Sequence, residues 1–250
     1  MLAVILAGWE IVTALGWADP LIVSTPQAVA RAIPDILGSQ AGQQALAITG
    51  SEIIDAFVMA VGAGLIAGTI LGLSRQLRQA YLPVITFLMS TPKVVFLPLF
   101  MLSLGVSSIS AAAFGAFEAF FYVTVNVVGG VELVDPRHLR VARAFRAGPL
   151  RTFANVVFPT ALPGICTALW YGIKHAFLGC LISELWASHA GVGTLIKAYS
   201  DQLDTAHVLA IIVIISFVAI LAGSLWSRAE ARLSRWRRTQ AGADAVVAYA

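Results

Sequence analysis

Charge is what this chain has least of. Asp, Glu, Lys and Arg supply 12% of its 250 residues, against about 25% in an average soluble protein. That shortage excludes a disordered regulator and an ordinary cytosolic enzyme. Cysteine is nearly absent as well. Cys166 and Cys180 are the only two, 14 residues apart in one apolar run, which along a helix is about 21 Å. They cannot bridge each other, and neither a disulfide framework nor a thiolate metal site is available. The chain has no Gly-Lys dipeptide, hence no Walker A phosphate loop. It also lacks a His-Glu-x-x-His zinc site and a Gly-x-Ser-x-Gly nucleophile elbow, so catalytic chemistry would have to come from another polypeptide.

Apolar length takes the place of these features. Hydrophobic residues make up 59% and the mean hydropathy is +0.86, which describes a membrane protein. A spanning helix needs about 20 mainly apolar residues, and four charge-free stretches stand out at 56–74, 94–117, 152–173 and 205–227. Leu104-Gly105-Val106-Ser107-Ser108 must turn the second. Allowing one buried charge per helix gives six expected spans, 1–18, 53–74, 81–104, 108–129, 163–187 and 205–227, in an all-α transmembrane domain over 1–238. Residues 239–250 read as a flexible cytoplasmic tail. A cleaved signal peptide at the start is disfavoured, because no Lys or Arg precedes the apolar run and Trp9-Glu10 interrupts it.

Arginine sets the orientation. The segments 75–80, 130–162 and 228–250 hold 12 of the 16 basic residues, whereas the opposite loops, 19–52 and 188–204, hold only Arg31 and Lys197. This asymmetry predicts that the first set, with both termini, is cytoplasmic. It also explains a net charge of +3 without a nucleic-acid partner. Between the first two spans, Ser24-Thr25-Pro26 caps a short helix reaching Leu37, expected to lie at the outer interface.

Within the spans, Gly64, Gly68 and Gly72 repeat every four residues, a smooth stripe for close helix packing inside the subunit or between subunits. Pro83, Pro92 and Pro98 kink the third span. Broken helices at membrane depth face protein or a water-filled cavity, so the run from Thr91 to Leu99 reads as a candidate pathway lining or as a purely structural kink. Lys93, Glu118 and Lys174 each fall about 17 Å into their spans, near the midplane, with Glu10 a further candidate. Such charges pair or face an aqueous route. Two readings stand: Lys93 and Glu118 neutralise each other as a structural pair, or Lys93 and Lys174 line a route for a small anion. Glu184, near the outer end of the fifth span, reads as a gate residue or a snorkelling carboxylate, and His175 as a packed histidine.

Residues 131–165 read as a basic helix from Pro136 to Phe145, a turn at Gly148-Pro149, a second short helix, and prolines leading into the fifth span. Two short helices between spans form a stiff cytoplasmic knob that suits a partner's groove; a basic helix on anionic lipid is the competing reading.

At this loop the chain resembles the permease subunits of binding-protein-dependent ABC importers, especially the subgroup for nitrate, bicarbonate, taurine, aliphatic sulfonates and thiamine-precursor pyrimidines. The resemblance rests on the outer segment Leu21 to Pro26, Pro92-Lys93, Leu97-Pro98-Leu99 and Gly105, then Asn126, Gly129 and Val131, then Glu184 and Gly191-Val192-Gly193. In the family's Glu-Ala-Ala signature, Arg140, Val141 and Ala142 take the first three places and Arg146 that of the glycine, so only the second alanine survives. Phe153, Val156-Val157-Phe158-Pro159 and Ala161-Leu162-Pro163 keep the tail of the motif. Gly148 is expected to supply the turn's backbone freedom.

The resemblance implies a type I importer-like bundle in the bacterial inner membrane. Arg140, Ala142, Arg143, Arg146, Gly148, Phe153 and Pro159 would couple to a cytoplasmic ATPase dimer that binds ATP and Mg, since this chain needs no cofactor of its own. Pro92, Lys93, Pro98, Glu118, Lys174 and Glu184 would line the pathway. A second permease copy, a periplasmic or lipoprotein solute-binding protein and membrane lipid complete the assembly. The rival is a secondary transporter or channel that uses the Lys93, Glu118 and Lys174 layer.

Overall fold

The computed structural model describes residues 2–15, 23–186 and 190–233; the expected tail at 239–250 lies outside them. The described chain is all-α. Its helices are α1 (Leu2–Ala14), α2 (Pro26–Gly38), α3 (Gln40–Leu73), α4 (Arg75–Ser90), α5 (Leu97–Leu104), α6 (Ser108–Glu132), α7 (Pro136–Ala144), α8 (Pro149–Thr152), α9 (Phe158–Trp186), α10 (Val192–Asp201) and α11 (Thr205–Leu233). A 3-10 turn, Lys93–Phe96, precedes α5, and a π turn, Phe153–Val157, fuses α8 to α9.

Four of these stretches are long and apolar enough to cross a membrane, and the bent pair 75–90 and 93–104 is either a broken fifth span or a re-entrant loop. The sixth expected span, 1–18, is described as the 13-residue α1, about 20 Å long and short of a hydrocarbon core of about 30 Å. Residues 1 and 16–18 of that span lie outside the described residues.

α6 is the centre of the bundle, and its most extensive packing is against α9 and α3. Close approach to α3 comes from the glycine stripe. A Cβ on Gly64, Gly68 or Gly72 would stand 2.6 Å from Val123, Val127 or Val131 respectively, so only glycine admits the valine row. The stripe is therefore an intramolecular contact.

α3 starts 13 residues before the expected span. Ser39 caps it, its hydroxyl accepting from the Gly42 amide at 3.0 Å. From there Ala45, Thr49, Glu52, Ala56 and Ala60 continue the buried face. The third expected span fails as one kinked helix. After Ser90 the chain turns through 94° before resuming at Lys93, because Pro92 offers no amide to continue α4 and restricts Thr91 to extended backbone, as observed. Pro98 sits in the first turn of α5, where its missing N–H costs nothing. At the other end of α4, Arg78 Nε pairs with Glu132 Oε1 at 3.0 Å, joining it to the end of α6.

The segment expected at the outer interface forms a helix, α2, capped by Thr25, whose hydroxyl accepts from Ala28 N. Its buried Val29, Ala32 and Ile36 pack with Val192 of α10 and Ala210, Ile211 and Ile214 of α11. Cys166 and Cys180 are free and buried.

Candidate functional site

The expected midplane layer divides in two. Lys93 sits at the break between α4 and α5, buried. Its Nζ is 3.3 Å from Glu118 Oε1, donates to the Met89 carbonyl at 3.1 Å and lies 5.1 Å from the centre of the Tyr122 ring. His175 Nδ1 is 3.4 Å from the same Glu118 oxygen, and its ring stacks on Tyr122 at 3.4 Å. The pair fastens the broken helix to α6 and α9. Lys174 does not join it. Its side chain is exposed, and its ammonium lies 5.3 Å and 5.8 Å from the Tyr171 and Trp170 ring centres. Among the described residues no carboxylate pairs with it. Glu10 stays outside the layer, its Oε1 accepting from Gln27 Nε2 at 3.4 Å.

Glu184 is not a snorkelling surface carboxylate; it is 2% exposed. Its Oε1 accepts from the Thr49 hydroxyl at 2.6 Å and its Oε2 from the Gly193 amide at 2.7 Å. Thr49 in turn accepts from the Val192 amide at 2.9 Å. Gly191, at φ +96°, is held so close that a Cβ would strike the Glu184 carboxyl. One side chain of α9 thereby latches the start of α10 to α3. Glu52 is buried beside this latch, with the Ser108 hydroxyl and the Glu184 carboxyl as neighbours. Pro98 lines a separate cavity of about 600 Å³ with Val94, Val95, Met101 and Trp186.

The knob between α6 and α9 has the expected two-helix form, with a different hinge. Asp135 caps α7 by accepting from Arg137 N at 2.7 Å. At the other end the Ala147 amide donates to the Ala142 carbonyl and the Arg146 amide to that of Arg143, both at 2.9 Å. This 6→1 and 5→2 pair is a Schellman cap, which places its C′ residue in the left-handed region. That residue is Arg146, at φ +52°. Gly148 has φ −65°, open to any residue, so the expectation that it frees the turn is overturned. The second short helix also does not end; a π turn carries it into α9, with the Phe158 amide bonded to the Phe153 carbonyl.

Leu139, Phe153 and Val157 pack the knob on the bundle; Ala142 is buried, while Arg140, Arg143 and Arg146 are exposed. So are apolar side chains. Phe145 is 83% and Leu150 85% exposed, with Val141 beside them. Exposed aromatic and aliphatic side chains interleaved in sequence with exposed arginines have the composition of a protein interface. Pro159 stands half-buried in the first turn of α9.

Thr49, Glu52 and Tyr122 escaped the sequence reading. For the first two a signal existed: they fall at three- and four-residue steps in the small-residue stripe that ends in the glycines. No group of three or more metal-ligating side chains occurs among the described residues.

Residues 60–236 match the family described as binding-protein-dependent transport system inner membrane component. Over 242 residues the chain is 28% identical to the protein carrying the name aliphatic sulfonates transport permease protein SsuC in Bacillus subtilis, covering 96% of this chain and 87% of that one. It is 29% identical over 240 residues to the taurine transport system permease protein TauC of Escherichia coli, 94% of this chain and 87% of that one. The nitrate import permease protein NrtB of Synechocystis is 27% identical over 157 residues, 62% of this chain and 57% of that one. A crystal structure of an amino acid ABC transporter with histidines shares the fold at a TM-score of 0.60 and 18% identity, covering 84% of this chain and 97% of that chain.

Proposed function

The chain belongs to the binding-protein-dependent transport system inner membrane component family, and from that premise we propose that it imports a small anion as the permease subunit of an ATP-driven transporter. The observation that carries this reading is the knob, which offers Phe145, Leu150 and three exposed arginines to a partner while its root is packed into α6 and α9. The partner is a cytoplasmic ATPase dimer, which binds the ATP and Mg that this chain has no motif to hold. Arg140, Ala142, Arg143, Arg146, Gly148, Phe153 and Pro159 form and support the docking surface.

Two permease copies face each other in the inner membrane with their termini in the cytoplasm, and an external binding protein delivers the solute. The pathway runs past the Pro92–Pro98 break and Lys174. The Lys93–Glu118 pair holds the break, and Glu184 holds the outer end. The solute is an oxyanion of the sulfonate, taurine or nitrate kind, the class named for the relatives. A secondary transporter built on the midplane layer is less favoured, since Lys93 is closed on Glu118.

The test is reconstitution. Co-expressed with a cognate ATPase and binding protein, the chain should co-purify with the ATPase and move solute only with ATP. Uptake by vesicles holding the permease alone would overturn the proposal.

A further inference from the structure

Between α3, α9 and α11 lies a cavity of about 560 Å³ that neither the latch nor the knob uses. Its walls are mainly apolar, with Trp170, Ile173, Phe177, Leu178 and Val218 among them, and Lys174 and His175 are its polar lining residues. Lys174 is 16 residues after the start of α9 and 12 before its end, about 24 Å and 18 Å along the axis. A cation at that depth must meet an anion or water, and no carboxylate of the described residues pairs with it. Its neighbours are instead the Trp170 and Tyr171 rings, which attract a cation but do not neutralise it.

Resting on the importer reading, we infer that this cleft is an anion subsite for an organic acid with an apolar body, such as an alkanesulfonate. Lys174 meets the charged head, and the α9 and α11 walls receive the chain. Burial of the apolar body contributes about 25 cal/mol for each Å² removed from water. A nitrate ion would surrender its hydration to apolar walls for a single ion pair. A zwitterion such as taurine would add an ammonium beside Lys174 with no carboxylate to receive it. A phospholipid head group belongs at the edge of a core about 30 Å thick, away from the middle of α9.

The experiment uses the full chain with its ATPase in nanodiscs of phosphatidylcholine. Hexanesulfonate is titrated against tryptophan fluorescence, which Trp170 in the cavity wall should report. A saturable response is expected, absent with equal nitrate or taurine. Lys174→Met should weaken it at least about tenfold, the scale of one charge-assisted contact, and Lys174→Arg should keep it, since Arg preserves the charge. Equal responses to nitrate, or no loss in Lys174→Met, would overturn the assignment. Abolition of the response by phosphatidylglycerol would overturn it in favour of lipid. Wild-type and Lys174→Arg protein decide the matter if Lys174→Met does not fold. Binding requires no ATP hydrolysis, so failure here leaves the importer reading intact, and failure of ATPase association leaves the subsite intact.

Discussion

The Thr49 hydroxyl donates to the Glu184 carboxyl at 2.6 Å across 135 residues of sequence, and the same oxygen receives the Val192 amide at 2.9 Å. Thr49→Val keeps the volume and removes both bonds. The stranded amide and carboxyl should cost about 1–3 kcal/mol. Hydrogen exchange at Val192 and Gly193 should accelerate and the unfolding temperature fall; unchanged protection would reject the latch.

Phe145→Asp should leave folding almost untouched, because the ring is 83% exposed and surface changes stay within about 0.5 kcal/mol. At a docked tip the same change removes an anchor of about 2 kcal/mol or more. Solute-stimulated ATP hydrolysis should then drop at least about tenfold. A variant that melts normally and hydrolyses normally would show that the tip docks nothing.

Arg146 stands at φ +52°, a conformation that costs a residue with a Cβ roughly 1–2 kcal/mol. Arg146→Gly should raise the folding stability of the permease chain by itself by up to about 1 kcal/mol after the extra freedom of glycine in the unfolded chain is subtracted. Arg146→Val should lower it. Calorimetry of both variants gives the sign. Arg146→Glu tests charge separately and should reduce ATPase coupling with insertion intact.

Lys93→Met or Glu118→Gln alone leaves one buried charge without its partner, an expected loss of about 3–5 kcal/mol. The double variant should recover most of it, His175 remaining beside the amide. Thermal stability of the three proteins checks this, and strictly additive losses would argue against the pair. Uptake by the double variant then separates a fastening from a route: near-normal transport assigns the pair to structure.

Much of the bundle was legible because its devices are local. The four-residue glycine spacing, the Gly105 turn and the Pro136–Phe145 helix depend on a few neighbouring residues, and each appears where the sequence places it. The beginning of α3 was not, since Thr49 and Glu52 look like loop residues until α9 and α10 provide their partners. Proline at 92 announces a break but carries no angle, so 94° had to be observed. Arg146 was the hardest case. Nothing in an arginine side chain foretells left-handed backbone; the Schellman bonds around it impose that conformation. Of the expected midplane charges, the separation of Lys174 from Lys93 was not readable, because it depends on which way each helix is rotated.

From Pro149 to Trp186 the helix runs 38 residues through a π turn, about 57 Å. One end carries the arginine-rich tip and the other the carboxyl that grips Gly193. On the importer reading, a tilt of this helix carries the knob and the grip on Gly193 together, and the π turn and Pro163 are where it would bend.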